Sequence, residues 1–147
     1  MKADAKTEAE VMVVCNQVKE AFSNRDLNSI PKLFVPDPDL VFYGTGADEK
    51  GIGLEGIKAD WERAFTQSDS SSMELTWGSV SAAGLVAWAA FDGVARATIK
   101  GQEISFPIRF TSVLEKRDGR WLIVQSHAST PSASQKEGES WPTETSQ

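Results

Sequence analysis

Apolar residues recur at Val11, Val14, Cys15, Val18 and Phe22, steps of three and four that predict an amphipathic helix over residues 7–24. Thr7 followed by Glu10 fits a capping box at its start. Asp26 can cap a second, short helix carrying Leu27, Ile30, Leu33 and Phe34, which Pro36 and Pro38 stop from continuing. Leu40 to Gly44 reads as a strand. A glycine-rich loop then leads into a third helix, Leu54 to Gln67, whose Ile57, Trp61 and Phe65 share one face. After SDSSS the period falls to about two, with β-favouring segments at Met73–Ala82, Leu85–Ile99, Glu103–Lys116 and Arg120–Ser129. Helices first and strands afterwards predict an α+β fold, a largely antiparallel sheet packed on three N-terminal helices. Asp92-Gly93 divides the second long segment, and a bulge there, rather than a hairpin, leaves a strand as long as its neighbours.

The hairpin FPIRFTSVLEKRDGRWLIVQSHASTP holds the only histidine, His127, and its register decides what that histidine faces. A two-residue Asp118-Gly119 loop mixes polar and apolar groups on both faces. A three-residue loop, Arg117 to Gly119, sets Arg109 opposite His127, Thr111 opposite Gln125 and Val113 opposite Ile123, and sorts the faces by polarity. One face then collects Arg109, Thr111, Gln125, His127 and Ser129 at one end, with Val113, Ile123 and Trp121 toward the turn; the other collects Ile108, Phe110, Leu114, Leu122, Val124 and Ala128. We take the sorted register. Helices closing over the Arg109/His127 face make it the floor of a pocket. The sheet face of Ile108, Phe110, Leu122 and Val124 is then the surface for a homodimer.

Composition narrows the function. The chain of 147 residues suits one domain, expected over residues 7–131, with a flexible N-terminus at 1–6 and a disordered tail at 132–147 that includes Trp141. A net charge of −6 without a basic stripe argues against nucleic acid as a partner. No run approaches the roughly 18 apolar residues of a membrane span. With a lone Cys15, read as a buried thiol, the expectation is a soluble, cytoplasmic protein. One histidine and one cysteine cannot build a zinc-type cluster, so no metal is expected. GIGLEG matches G-x-G-x-x-G at Gly51, Gly53 and Gly56, but no parallel βαβ unit follows, so close packing at the helix start explains these glycines and no cofactor is expected.

The strings AFSNRDLNSIPKLF, LVFYGTGADEKGIGLEGI and RFTSVLEKRDGRWLIVQSHASTP, spread over about residues 8 to 130, resemble the NTF2-like superfamily, in particular its SnoaL-like and ketosteroid-isomerase-like branch. The resemblance implies a cone-shaped α+β barrel, a curved sheet wrapped around three helices, enclosing a mostly apolar cavity and commonly dimerising through the sheet. It also implies cofactor-free proton transfer, such as isomerisation or dehydration, or alternatively a non-catalytic association module that oligomerises through its sheet.

Candidate residues follow from both readings. Arg109 and His127 could together hold an anionic group, or His127 could act as a general base beside the cation; alternatively Arg109 pairs with Glu103 or Asp92. Asp92, flanked by apolar residues, turns either outward at the bulge or into the cavity, where burial would suit it to acid–base work. Phe42, Tyr43, Trp61 and Trp88 are expected as apolar walls, with Thr111, Gln125 and Ser129 beside Arg109, around a small hydrophobic or carboxylate-bearing ligand. Asp60 is expected on the solvated face of the third helix.

Overall fold

The structure, a computed structural model, describes residues 1–142. Three helical segments precede most of the sheet: α1 (Ala5–Ser23), a 3-10 turn (Leu27–Ser29) running into α2 (Ile30–Leu33), and α3 (Gly53–Thr66). The strands are β1 (Val41–Tyr43), β2 (Lys50–Ile52), β3 (Ser70–Ala83), β4 (Val86–Ile99), β5 (Gln102–Arg117) and β6 (Arg120–Ser129). They form one curved, unclosed sheet in the order β2-β1-β6-β5-β4-β3, antiparallel except for β1 beside β6. This is the expected α+β architecture. Strand β2 was read as loop: its three residues pair only with β1, too short a run to show a period.

Asp4, rather than Thr7, caps α1, its Oδ1 accepting the Thr7 amide at 2.8 Å. Glu10 is thereby free for another task. Its Oε2 accepts from Lys116 Nζ at 3.0 Å and from Trp121 Nε1 at 2.9 Å, tying α1 to the β5–β6 hairpin. The first residues, expected to be flexible, instead run beside β3. Ala3 N–H donates to Val80 O at 3.1 Å, and Ala82 N–H donates to Met1 O at 3.0 Å. At the other end, residues 132–142 form no helix or strand and Trp141 is 82% exposed, while 143–147 lie outside the described residues.

Two bulges set the faces of the sheet. Opposite Asp92-Gly93 the register of β3 shifts between Leu75 and Trp77, so the extra residue is Thr76 and β4 stays continuous. Gly93 is required there, because a Cβ on it would lie 2.4 Å from Glu74 O. The second bulge corrects the hairpin. Arg117 pairs with Arg120, so the loop is the two-residue Asp118-Gly119, with both φ angles positive (50° and 78°) as a type I′ turn needs. A register shift then leaves Val124 unpaired, with Leu114 opposite Ile123 but Val113 opposite Gln125. Beyond the bulge the polar residues share a face, as polarity sorting requires, but His127 lies opposite Thr111, and Arg109 opposite Ser129.

The helices cover the other face. Ile108, Phe110, Ser112 and Leu114 of β5 and Trp121, Ile123, Ser126 and Ala128 of β6 point toward them. The core is built there from Val11, Val14, Ile30, Phe34, Leu40, Ile57, Trp61 and their neighbours. Trp61 meets Phe22 edge-on, with ring centroids 5.2 Å apart, and Phe34 at 6.4 Å. Of the four residues expected to mediate dimerisation, Ile108 and Phe110 therefore point to the inside of the subunit and line its cavity; Leu122, opposite Glu115 on the alternate side of β6, is buried, and Val124 at the bulge packs against the core. Among the described residues no helix is long and apolar enough to cross a membrane.

Candidate functional site

A cavity of about 440 Å³ lies between the helices and the concave face of the sheet. Phe91, Phe110, Ile108, Ile123 and Ala128 floor it, Cys15, Val18 and Phe22 of α1 close one side, and Trp61 and Ala64 of α3 close another. Phe42 enters from β1, where its pairing with Ser126 puts it on the concave face. The size and apolar lining are those of small-molecule sites, which fall at about 300–1,000 Å³.

Among the polar groups in this lining, those buried in it are distinctive. Ser112 and Ser126 are cross-strand partners on the floor, buried to 8% and 7% exposure, with their Oγ atoms 2.9 Å apart. Asp60 reaches the cavity from α3. Its Oδ2 is buried without a hydrogen-bond partner among the described residues, as is Ser71 Oγ. The nearby cation Arg63 is already engaged, held by Asp48 at 3.0 and 3.1 Å and by Glu49 at 3.5 Å. Burial pushes the Asp60 carboxyl above its ordinary value of 3.8; the negative charge of Glu49 adds to the rise and Arg63 opposes it. Cys15 is a different case. Burial pushes its thiol up to about 12, which leaves it protonated and unreactive at neutral pH.

Asp60 is placed by the glycines of GIGLEG. A Cβ on Gly56 would lie 3.0 Å from the Gly51 backbone, and one on Gly51 would lie 2.9 Å from both Gly56 C and Asp60 Oδ2. Strand β2 and helix α3 thus touch backbone to backbone, and this contact seats the carboxylate against β2.

Of the residues expected at the site, Phe42 and Trp61 line the cavity. The others lie on the convex face, because the helices cover the opposite side of the sheet from the one expected. Pairing aligns Trp77, Asp92, Arg109 and Ser129 in one row, Ala90, Thr111, His127 and Tyr43 in the next, and Trp88, Val113 and Gln125 in a third. These rows alternate with the cavity-lining residues Phe91, Phe110, Ser112, Ser126 and Phe42. Arg109, Thr111, Gln125, His127 and Asp92 are exposed, as are Tyr43 and Trp88, and Ser129 is half-buried. Arg109 and His127 therefore do not meet as pocket floor, and Asp92 takes the outward alternative. The Tyr43 and His127 rings pack on each other at 5.4 Å on that outer face. Among the described residues no carboxylate lies within ion-pair distance of Arg109.

Asp60, expected on a solvated face, is the titratable group that sequence reasoning missed. A signal existed: Asp60, Ala64 and Gln67 fall at i, i+4 and i+7, a second stripe flanking Ile57, Trp61 and Phe65, and all three line the cavity.

The SnoaL-like domain family matches residues 11–133, and the chain belongs to that family. No curated protein matches the sequence. Among solved structures, an NTF2-like superfamily protein from Salmonella enterica subsp. enterica serovar Typhimurium str. LT2 superposes with a TM-score of 0.81 at 21% identity, covering 95% of this chain and 100% of the other. A protein from Xanthomonas campestris assigned as a calcium/calmodulin dependent protein kinase II association domain gives 0.75 at 25% identity, covering 90% and 95%. One from Streptomyces avermitilis assigned as a dehydratase of the NTF2-like family gives 0.78 at 16% identity, covering 89% and 100%. The fold is the NTF2-like cone.

Proposed function

We propose that the protein binds a small, largely apolar molecule in the cavity and moves a proton on it, with Asp60 as the acid–base group. The observation that carries this reading is Asp60 itself: a carboxylate with a buried, unpartnered oxygen and a raised pKa in a largely apolar chamber. A base of raised pKa is better matched to neutral pH than an ordinary aspartate. In isomerisation the Asp60 carboxylate would take a proton from carbon beside a carbonyl, leaving the electron pair in an enolate, and return the proton at another carbon. In dehydration the enolate would expel hydroxide. The likeness to a protein assigned as a dehydratase supports this class of chemistry.

A thermal-shift screen of ring ketones, ring alcohols and aromatic carboxylates tests the binding half. At a ligand concentration about 100 times Kd, stabilisation by about 2.7 kcal/mol is expected. No shift with any member of the screen would remove the cavity as a ligand site.

A second reading, the association module, draws on the convex face. There Trp77 (55% exposed), Tyr43, Val86 and Trp88 leave apolar surface uncovered beside Arg109 and His127. A homodimer joined through this face would cover it, and light scattering reads the mass directly. The two readings are compatible, because they use opposite faces of one sheet.

A further inference from the structure

Two hydroxyls sit where the cavity floor is otherwise hydrocarbon. Ser112 and Ser126 are the buried polar residues of the described chain, and both line the cavity. A proton count shows what they lack. Two hydroxyls carry two protons; one spans the 2.9 Å between the oxygens, whichever of them donates it. The second has as its protein acceptor only Thr111 O, 3.5 Å from Ser126 Oγ, at the limit of a hydrogen bond. Neighbouring side chains on the floor, Phe110, Ile123 and Ala128, offer no acceptor. One proton and several lone pairs are thus available to whatever enters the cavity. A purely structural pair on a packed sheet would have no open volume beside it.

The charges around the chamber define the guest. The carboxylates of Asp60 and Glu49 both line it, so an anion near them meets repulsion. Of the cations at the lining, Arg96 is paired with Glu74 at 3.0 Å, whereas Lys19, half-buried on α1, has no ion-pair partner among the described residues; Arg109 is on the far face of the sheet. A hydroxyl pair in an apolar floor suits an uncharged oxygen. We propose that Ser112 and Ser126 are the specificity-determining pair of the cavity and select an uncharged ring compound that presents a carbonyl oxygen to the sheet, with its hydrocarbon against Phe91, Phe110 and Trp61. This rests on the reading of the cavity as a ligand site and adds the substrate class and its orientation. The carbonyl is held at the floor by β5 and β6, while Asp60 comes from the helical wall.

Three probes of one skeleton test it by calorimetry or by quenching of tryptophan fluorescence: tetralin, β-tetralone and tetralin carboxylate. The wild type is expected to bind β-tetralone about fivefold tighter than tetralin, the ratio of one net neutral hydrogen bond, and the carboxylate weakest of the three. In the double variant Ser112→Ala/Ser126→Ala the ketone preference should fall to about one, with tetralin affinity retained. Replacing both partners together strands neither, so the variant should fold, and its thermal midpoint verifies that. Persistence of the ketone preference in the double variant overturns the assignment. Tighter binding of the carboxylate by the wild type overturns the uncharged class. If tetralin binds and the ketone gains nothing, the proposal fails alone; if none of the three binds the wild type, the cavity reading fails with it.

Discussion

Substituting Gly51→Ala tests how the backbone contact between β2 and α3 positions Asp60. The added methyl would sit 2.9 Å from Gly56 C, 3.0 Å from Ile57 N and 2.9 Å from Asp60 Oδ2. Two of these atoms are helix backbone and cannot rotate away, so α3 must lift by roughly half an ångström to reach ordinary van der Waals distance. Overpacking of this kind costs about 1–3 kcal/mol. Replacing glycine by alanine in a strand returns about 0.5–1 kcal/mol of backbone entropy. The central values leave a net cost of about 1 kcal/mol, and at about 3 °C per kcal/mol for a chain of this size the midpoint should fall by about 3 °C. The same displacement moves the Asp60 carboxyl away from the strand that buries it. Its titration, followed by carboxyl-carbon NMR, should shift toward the ordinary value of 3.8. An unchanged midpoint together with an unchanged Asp60 titration would refute the packing argument, since both consequences come from one contact.

Asp60→Asn should raise stability at neutral pH. The folded-state pKa of Asp60 lies above its ordinary value, so the folded protein holds this proton more tightly than the unfolded chain, and stability declines as pH rises through that window. Asparagine cannot ionise; its advantage should be full above the folded pKa and vanish below pH 3.8, as read by thermal melts across pH. Arg109→Ala and His127→Ala should leave cavity binding of β-tetralone unchanged and shift monomer stability by no more than about 0.5 kcal/mol, because both side chains are exposed on the convex face. A large loss of ligand affinity in either, measured by calorimetry, would return them to the site.

The order of elements was legible because α1, α3 and the four long strands each carry enough turns or alternations to display a period. The faces of the hairpin were half legible. A two-residue turn followed by a one-residue bulge gives the same parity beyond the bulge as a three-residue turn, so polarity sorting found the right companions for His127 through the wrong loop. Which face the helices cover was then misassigned, because polarity was taken to mark a pocket. The cavity proved to be largely apolar, and the polar groups buried in it are small or isolated: Ser112 and Ser126 on the floor, and the unpartnered oxygens of Asp60 and Ser71. Asp60 escaped notice for a physical reason. On a helical wheel it borders the apolar stripe, and only the position of β2 against Gly56 decides that its Oδ2 is buried rather than solvated. The glycines of GIGLEG carried that information as a close approach of two backbones.

The central claim is that Asp60 is a base facing the cavity, and deuterium incorporation at the α-carbon of β-tetralone in heavy water measures it most directly. The wild type should accelerate exchange over buffer, and Asp60→Asn should lose about 10²–10⁴-fold of the rate while still binding the ketone. Equal exchange by the wild type and Asp60→Asn, or no acceleration by a wild type that binds the ketone, would contradict the account.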